Sequence, residues 1–216
     1  MNNQITINGM RRAETREANQ HALIDAAIAD IAEHGYQAAR LADIAARAGL
    51  TTGAIYSIFG SKRALLIAAT KRLVEEYQQT LRPLADPDLD LPGVVRGYAS
   101  AVLDSTDSPR AREHFAFELE GLAAALRDPQ LMSEVDTQVP STPSLLTALF
   151  TDRRIGAART TAEQAERLAP AVHALVTGFA QHAVIDPNSV DRDFVMASAV
   201  QLTALVSPGD CDVPDE

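Results

Sequence analysis

The most constraining feature of this 216-residue chain is a pair of short apolar-patterned segments on either side of a glycine, within residues 35–66. In the first segment Leu41 and Ile44 recur at helical spacing beside several alanines, which predicts a helix with one buried side. Gly49 supplies the turn, because a positive φ costs glycine little. Thr51 can cap the next helix through its hydroxyl group. Two short helices joined by a glycine turn are typical of the helix-turn-helix motif.

The second of these helices has an outward face that suits contact with a nucleic acid. Ile55 and Ile58 are expected to point inward. The opposite face carries small or polar residues and one tyrosine, namely Thr52, Gly53, Tyr56 and Ser57. Such a surface fits a DNA major groove better than a protein core. A helical hairpin with a purely architectural glycine turn is the alternative interpretation.

Two cations follow at the start of a third helix. Ser61 can cap this helix, and Lys62 and Arg63 lie in its first turn, where the helix dipole disfavours positive charge. Such a pair is unfavourable without a nearby anion. A DNA phosphate bound by the helix end and by Lys62 would supply one. The residues after the motif therefore favour a nucleic-acid interface over an architectural hairpin.

The run from about Ala18 to Leu66 resembles the DNA-binding domain of the TetR (tetracycline-repressor-like) family of transcriptional regulators. The resemblance rests on residues at fixed intervals: Gly35, Tyr36, Ile44, Ala45, Ala48, Gly49, Gly53, Tyr56, Phe59, Ser61 and Lys62. It covers the N-terminal part of the chain strongly and the remainder only by helix layout.

The resemblance implies a DNA-binding site on the second helix of the motif. Tyr56 and Lys62 would bind phosphates, and three of their neighbours would lie against base edges. The base-edge residues are Thr52, Gly53 and Ser57. The full implied set is Arg40, Thr51, Thr52, Gly53, Ala54, Tyr56, Ser57 and Lys62.

Three positions depart from the usual family pattern. Arg40 stands where Ser or Thr usually caps the second helix, and Ala42 stands where a polar or basic residue is common. Ser57 and Ile58 stand where histidines are frequent. The fold is expected to tolerate these changes, and the operator sequence does not follow from those of relatives.

Charge is distributed unevenly along the chain. Residues 1–72 carry nine Lys and Arg against six Asp and Glu, whereas residues 73–216 carry ten against 23. The formal net charge of −10 would by itself argue against nucleic-acid binding. Phosphate attraction depends instead on the local potential within a Debye length, about 10 Å. Only the first segment is therefore expected to approach DNA, and dimerisation is expected to reinforce its affinity.

Helical periodicity dominates the chain, which predicts an all-α fold of about nine helices. A three-helix helix-turn-helix domain is expected over residues 13–60, and a larger effector-binding and dimerisation domain over 61–206. The helix at 13–34 braces the first domain, and the helix at 61–81 links the two. Further helices are expected at about 92–106, 109–127, 143–151, 162–184 and 191–206. Residues 128–142 give no clear signal, and residues 1–12 and 207–216 are expected to be flexible tails.

The helix at 162–184 is apolar on two sides and therefore needs two layers of cover. One layer is its own core, and the other is most simply a second copy of the chain. A position at the centre of one monomer is the alternative. TetR-like proteins dimerise through their last two main helices, and a two-fold dimer implies a palindromic operator. The predicted interface contains Leu168, Ala171, Val172, Leu175, Gly178, Phe179, Phe194, Leu202 and Leu205.

A small-molecule site is predicted in the middle of the chain. A carboxylate and an imidazole on an apolar helix face can line a pocket and orient a bound molecule. For any single residue, ordinary core packing or a solvent-exposed ion pair is the competing interpretation. The candidates are His114, Phe117, Glu118, Gly121, Met132, Phe150, His173, Phe179 and His182.

The sequence lacks the common signatures of catalysis and metal binding. It has no Glu-x-x-His pair, no zinc-type Cys/His spacing, no glycine-rich phosphate loop and no Gly-x-Ser-x-Gly elbow. His114 and Glu118 on adjacent helical turns are two potential metal ligands, and the sequence indicates no further ligands for the same ion. We therefore expect no enzyme, no metal and no cofactor apart from a small organic effector.

Cysteine usage and the N-terminal sequence indicate the compartment. Cys211 is the single cysteine, so no internal disulfide is possible and a reducing environment is the simpler assumption. The opening residues lack the apolar segment of a signal peptide. A cytoplasmic protein without membrane association is therefore expected.

Taken together, these features predict a dimeric, sequence-specific DNA-binding regulator, a repressor in preference to an activator. A small-molecule effector would release it from a palindromic operator by changing the separation of the two recognition helices. A helical protein-interaction module is one alternative, and an enzyme-like ligand-binding protein is another. In both, the helix-turn-helix serves only as scaffold.

Overall fold

A computed structural model of the chain describes the backbone of residues 2–206 and the side chains of residues 13–206. Apart from one short hairpin, the described part is helical, so the predicted all-α fold is confirmed. In chain order the elements are α1 (Asn2–His34), α2 (Leu41–Arg47), α3 (Thr52–Ile58), α4 (Lys62–Leu81), α5 (Leu91–Ser105), α6 (Ala111–Arg127), α7 (Pro129–Gln138), α8 (Thr142–Phe150), β1 (Arg154–Ile155), β2 (Ala158–Arg159), α9 (Ala162–Ile185) and α10 (Arg192–Gln201). Short 3₁₀ turns occur at Arg82–Ala85, Pro187–Ser189 and Leu202–Val206.

The helices group into two compact units. The first contains the residues through Leu73 together with Glu113–Val139, and the second contains Val74–Arg112 and the residues from Pro140 onward. This grouping differs from the predicted division into 13–60 and 61–206. Residues of α6 and α7 contact the N-terminal segment through Glu120, which bonds to Tyr36, and through Asp128 and Glu134, which pair with Arg63. Sequence order does not reveal these contacts.

The core of the first unit is built by α1, α2 and α3. Leu23 and Ile28 of α1 are buried, and Ile44 of α2 and Ile55 of α3 are fully inaccessible. Burial of each such side chain contributes roughly 1.5–3 kcal/mol relative to exposure. α1 ends at His34, and the following Gly35 has a φ of +83°, a conformation that glycine adopts without strain. The predicted bracing of the helix-turn-helix by this helix is present.

The N-terminal helix is longer than predicted. α1 begins at Asn2, so residues 2–12, predicted as part of a flexible tail, have helical backbone. The segment after Gly9 is rich in Arg, Ala and Glu, which are strong helix formers, and this explains why the helix extends beyond its packed part. The predicted tail 207–216, including Cys211, lies outside the described residues.

The second unit is organised around α9, which contacts α5, α8 and α10. Its buried side carries Leu168, Val172 and Val176. Thr161 and Gln164 form a capping box at its start, each side chain bonding to the backbone N–H of the other. By length and composition α9 would pass for a membrane span. Its buried residues pack against α5, α8 and α10, as those of a helix in a protein core do.

A helix fills the segment that gave no clear sequence signal. α7 covers Pro129–Gln138, and Asp128 caps it by accepting hydrogen bonds from the N–H groups of Gln130 and Leu131, both at 3.1 Å. Proline in the first helical position is preorganised for this start. The Asp-Pro pair was therefore the available local signal for α7.

The proline-rich loop after α4 is anchored by a buried arginine. Arg153, which precedes β1, is 8% exposed and donates to the carbonyl oxygens of Leu84 at 2.9 Å and of Asp86. It also donates to the carbonyl of Leu149 at 2.8 Å. These acceptors satisfy the guanidinium where water has little access. The loop is thereby fixed within the second unit.

Candidate DNA-binding surface

α3 turns one face to the core and the other to solvent. Ile55 is fully buried, while the adjacent Tyr56 is 57% exposed. Gly49 has a φ of +68° in the turn before α3. The Thr51 hydroxyl oxygen caps α3 by accepting a hydrogen bond from the Ala54 N–H at 3.3 Å. The predicted turn and cap are both present, and they fix the direction in which α3 presents its outer face.

The residues predicted to contact DNA lie on α3, at its N-cap and at the starts of α2 and α4. The exposed members are Arg40, Thr51, Gly53, Tyr56 and Ser57, and the half-buried members are Thr52, Ala54 and Lys62. Arg40 occupies the N-cap position of α2 without forming a side-chain cap. Its side chain therefore does not cap α2.

Lys62 is bound by the protein itself. Its ammonium donates to the carbonyl of Ala39 at 2.5 Å and to that of Gln37 at 3.4 Å. The ammonium also lies 4.7 Å from the centroid of the Tyr36 ring, a cation–π distance. Burial lowers the pKa of Lys62, and the nearby Asp30 partly opposes this shift. Lys62 thus fastens the start of α4 to the turn after α1, a role that the predicted phosphate contact did not include.

Arg63 meets its anions within the protein. Its guanidinium lies 2.6 Å from Oδ2 of Asp128 and 3.1 Å from Oε1 of Glu134. From the sequence, the anion expected at this helix start was a DNA phosphate, and here two carboxylates of the same unit occupy that position. Sequence reasoning missed them because they lie 65 and 71 residues further along the chain. Of these residues, Asp128 was the one with a recognisable local role in the sequence, as the cap of a helix that begins at Pro129.

Glu120 of α6 joins the same region. Its Oε2 accepts a hydrogen bond from the Tyr36 N–H at 3.3 Å. A Cβ on Gly35 would lie 3.0 Å from this oxygen, so the glycine also leaves room for the carboxylate. Burial raises the pKa of the Tyr36 phenol, and the charge of Arg63 opposes that shift. Tyr36, Lys62, Arg63 and Glu120 therefore form one polar cluster beside the helix-turn-helix.

The electrostatics of the first unit differ from those expected from the N-terminal segment alone. Residues 1–72 have an excess of three basic residues, but residues 113–139 carry six Asp and Glu against the single Arg127. Because both segments belong to the first unit, its acidic residues outnumber its basic ones. Positive potential toward DNA must therefore come from where the cations are placed on the surface.

The predicted dimer interface separates into a buried part and an accessible part. Leu168 and Val172 are 2% and 0% exposed and belong to the core of the second unit, which corrects their assignment to an interface. The exposed side carries Ala171, with Phe194 at 60% and Leu205 at 73% exposed. The remaining members are half-buried: Leu175, Gly178, Phe179 and Leu202. The burial of the single chain therefore separates the predicted residues into a core group and an accessible group, and the role of the accessible group in a dimer remains a prediction.

The effector candidates of the first unit lie on α6 and α7. Phe117 is buried in the core, in agreement with the competing interpretation of core packing. Glu118 keeps part of its surface exposed, yet the surrounding protein desolvates its carboxyl group and raises its pKa to about 7. His114, Gly121 and Met132 are half-buried. A carboxyl group that is half protonated near neutral pH is unusual on a protein surface.

The candidates of the second unit are likewise mixed. Nδ1 of His173 lies 2.8 Å from the hydroxyl oxygen of the buried Tyr98 and 3.2 Å from Oγ1 of Thr177, and burial lowers the pKa of His173. Phe150 is fully buried in the core. Phe179 is half-buried and His182 is exposed.

A cleft of about 440 Å³ in the second unit lies beside α5 and α10, lined by Ser100, Leu103, Asp104, Val190, Asp191, Arg192, Asp193 and Met196. None of the predicted effector residues lines this cleft. Because those candidates are divided between two units, their convergence on one pocket remains a prediction.

Comparison with known proteins gives the family. Residues 23–69 match the bacterial regulatory proteins of the tetR family, and residues 95–204 match the C-terminal region of BetI-type transcriptional repressors. The HTH-type transcriptional regulator BetI of Paraburkholderia phytofirmans is 32% identical over 118 residues, which are 52% of this chain. The match spans 60% of that protein's length.

Solved structures have the same fold. A transcriptional regulator from Pseudomonas aeruginosa PAO1 superimposes with a TM-score of 0.68 at 18% identity, covering 86% of this chain and 88% of that one. The regulator FadR of Bacillus subtilis, solved with stearoyl-CoA, gives a TM-score of 0.64 at 19% identity, covering 88% and 99%. The helix-turn-helix geometry and these matches, which extend over both units, lead to one assignment: the chain belongs to the TetR family of bacterial transcriptional regulators.

Proposed function

We propose that this chain is a sequence-specific DNA-binding repressor whose α3 reads base edges in the major groove. The observation that carries the proposal is the outer face of α3, where Tyr56 is 57% exposed beside the fully buried Ile55. A helix held by its inner side and bare on its outer side is the geometry that a major groove accommodates. Tyr56 binds a phosphate in this proposal, and Thr52, Gly53 and Ser57 face the bases.

The chain acts as a homodimer in this proposal. Exposed apolar residues occur on α9, on α10 and in the 3₁₀ turn that follows it, Phe194 and Leu205 among them, and a second copy could cover them. Two-fold symmetry then places one α3 of each protomer in successive major grooves, about 34 Å apart, on a palindromic operator.

A small organic molecule is the proposed effector. Each unit offers its own candidate polar group with a pKa shifted by burial, Glu118 in the first unit and His173 in the second. Such groups beside apolar side chains are typical of ligand sites. The effector would shift α4 and thereby alter the distance between the two copies of α3, which releases the operator. In this proposal the protein is cytoplasmic, carries no cofactor or metal and catalyses no reaction.

Selection from a random pool of duplexes at near-physiological salt, followed by sequencing, tests this function. Enrichment of a palindrome with half-sites one helical turn apart is the expected result. A folded, dimeric protein that retains no DNA sequence in preference to any other would overturn the proposal. It would favour the helix-turn-helix as a scaffold for protein contacts, whose partner binding should be insensitive to salt.

A further inference from the structure

The start of α4 carries a second cation, Arg63, to which no role in DNA binding has been assigned above. Arg63 follows α3 directly, after the short turn containing Gly60. Its neighbour Lys62 is already occupied by two backbone carbonyls and the Tyr36 ring. Lys62 thus binds backbone carbonyls, whereas Arg63 forms ion pairs with carboxylates.

Those carboxylates come from the acidic α6–α7 segment. Asp128 Oδ2 and Glu134 Oε1 contact the two terminal nitrogens of Arg63 at 2.6 and 3.1 Å. Oδ1 of Asp128 is separately engaged in capping α7. The guanidinium thus binds two monodentate anionic oxygens from different residues, which a single phosphate with its two free oxygens can replace.

The contact is accessible enough to exchange. The side chains of Arg63, Asp128 and Glu134 are 30%, 40% and 35% exposed. Partly exposed ion pairs of this kind contribute little net free energy, because water and salt screen them. A DNA phosphate gains in addition from the release of condensed counterions. Carboxylates and phosphate are therefore comparable competitors for the same guanidinium.

We propose that Arg63 is a further DNA-phosphate ligand and that Asp128 and Glu134 occupy it in the DNA-free protein, so that α7 competes with DNA. The inference rests on the proposed DNA-binding function. The two carboxylates compete with the DNA phosphate for Arg63. DNA affinity is therefore lower, because Arg63 has to leave its ion pairs before it contacts the backbone of the duplex. Movement of α7 toward or away from Arg63 would then tune operator affinity.

Neutralising substitutions test this competition. Asp128→Asn removes the charge and keeps a side-chain oxygen that can cap α7. Glu134→Gln removes the charge of the second carboxylate, inside α7. Asp136→Asn is the matched control, since it removes one exposed charge from the same helix and Asp136 has no described contact with Arg63. Binding of each variant to a selected operator and to a 40-base-pair random duplex, about four helical turns long, is measured across a range of salt concentrations.

We expect Asp128→Asn with Glu134→Gln to strengthen binding to both duplexes about three- to tenfold, because Arg63 no longer has to leave an ion pair. The plot of log K against log salt should steepen by about 0.9 for each Arg63 that reaches a phosphate more fully. Arg63→Gln should weaken binding, and in its background the two neutralising substitutions should have no effect. Asp136→Asn should leave the salt slope unchanged.

Weaker DNA binding by the neutralised variant at an unchanged salt slope would overturn the inference, since Asp128 and Glu134 would then hold α3 in place for DNA. An equal gain from Asp136→Asn, or a gain that persists with Arg63→Gln, would also overturn it by pointing to general charge repulsion. Both outcomes leave the wild-type protein bound to DNA. Failure of the wild-type protein to bind any duplex would instead remove the proposed function itself.

Discussion

Glu120 of α6 accepts a hydrogen bond from the backbone N–H of Tyr36 at 3.3 Å, across 84 residues of sequence. This contact joins α6 to the turn that precedes the helix-turn-helix. The Tyr36 ring in turn lies beneath the ammonium of Lys62 at the start of α4. The first unit therefore contains a continuous polar connection from α6 to both ends of the DNA-binding motif.

Removing the Glu120 carboxylate should destabilise the first unit. Glu120→Ala leaves the part-buried Tyr36 N–H without its acceptor, which is expected to lower the free energy of unfolding by about 1–3 kcal/mol. Glu120→Gln retains an acceptor oxygen and should lose clearly less. Urea unfolding followed by circular dichroism measures both. Equal losses for the two variants would show that the hydrogen bond to Tyr36 is not the cause.

The inner and outer faces of α3 should respond differently to truncation. Ile55→Ala removes a fully buried side chain and should cost about 2–5 kcal/mol of unfolding free energy. Ser57→Ala, on the exposed face, should change it by less than about 0.5 kcal/mol. Urea titrations of the two variants test the orientation of α3. Comparable losses at both positions would contradict it.

A charge placed on the exposed surface of α9 and α10 should dissociate the proposed dimer. Phe194 is 60% exposed in the single chain, so Phe194→Glu should not disturb the fold but should place an unpaired carboxylate in the interface. Sedimentation velocity at micromolar concentration should give the mass of one chain. Leu126→Glu is the control, because Leu126 is 72% exposed on α6, and it should remain dimeric. A dimeric Phe194→Glu variant would exclude this surface.

The pH dependence of stability should carry a signature of Glu118. Its pKa in the folded protein is raised from 4.5 to about 7 by desolvation, so the protonated form is the one that fits the fold. Its contribution to stability is complete below pH 4.5 and is lost as the pH rises toward about 7. Glu118→Gln should therefore gain stability relative to the wild type across this interval and keep a constant difference above it.

Urea titrations at a series of pH values measure this difference. Because part of Glu118 is exposed, water screens the group and the effect should be modest. A difference between the two proteins that does not vary with pH would contradict the raised pKa of Glu118.

Local sequence patterns predicted most of the helices and the turns between them. Gly49, Thr51 and Ile55 each have a role set by their immediate neighbours, in the turn, the cap and the core. The start of α7 was readable in principle from Asp128 and Pro129, but short apolar periodicity left its extent open. Elements whose signals lie within a few residues of one another are therefore the ones that sequence reasoning recovers.

The ion-pair partners of the charged residues could not be predicted from the sequence. Nothing near Arg63 indicates that Glu134, 71 residues away, will bind it, because a sequence contains no distances between its elements. The assignment of Leu168 to an interface was wrong for a related reason: periodicity finds two apolar sides of α9 but not which of them its own core covers.

Two single substitutions on the outer face of α3 test whether this helix reads DNA sequence. Affinities of Tyr56→Ala and Thr52→Ala are measured for the selected operator, for operators with one base pair changed and for random duplex, at fixed salt. Tyr56→Ala is expected to weaken binding to all of these alike, because a phosphate contact is lost. Thr52→Ala is expected to change the preference among them by about 1–3 kcal/mol for the base pair that Thr52 faces. Equal losses on operator and random DNA for both variants, or no loss for either, would show that α3 does not read the sequence through these residues.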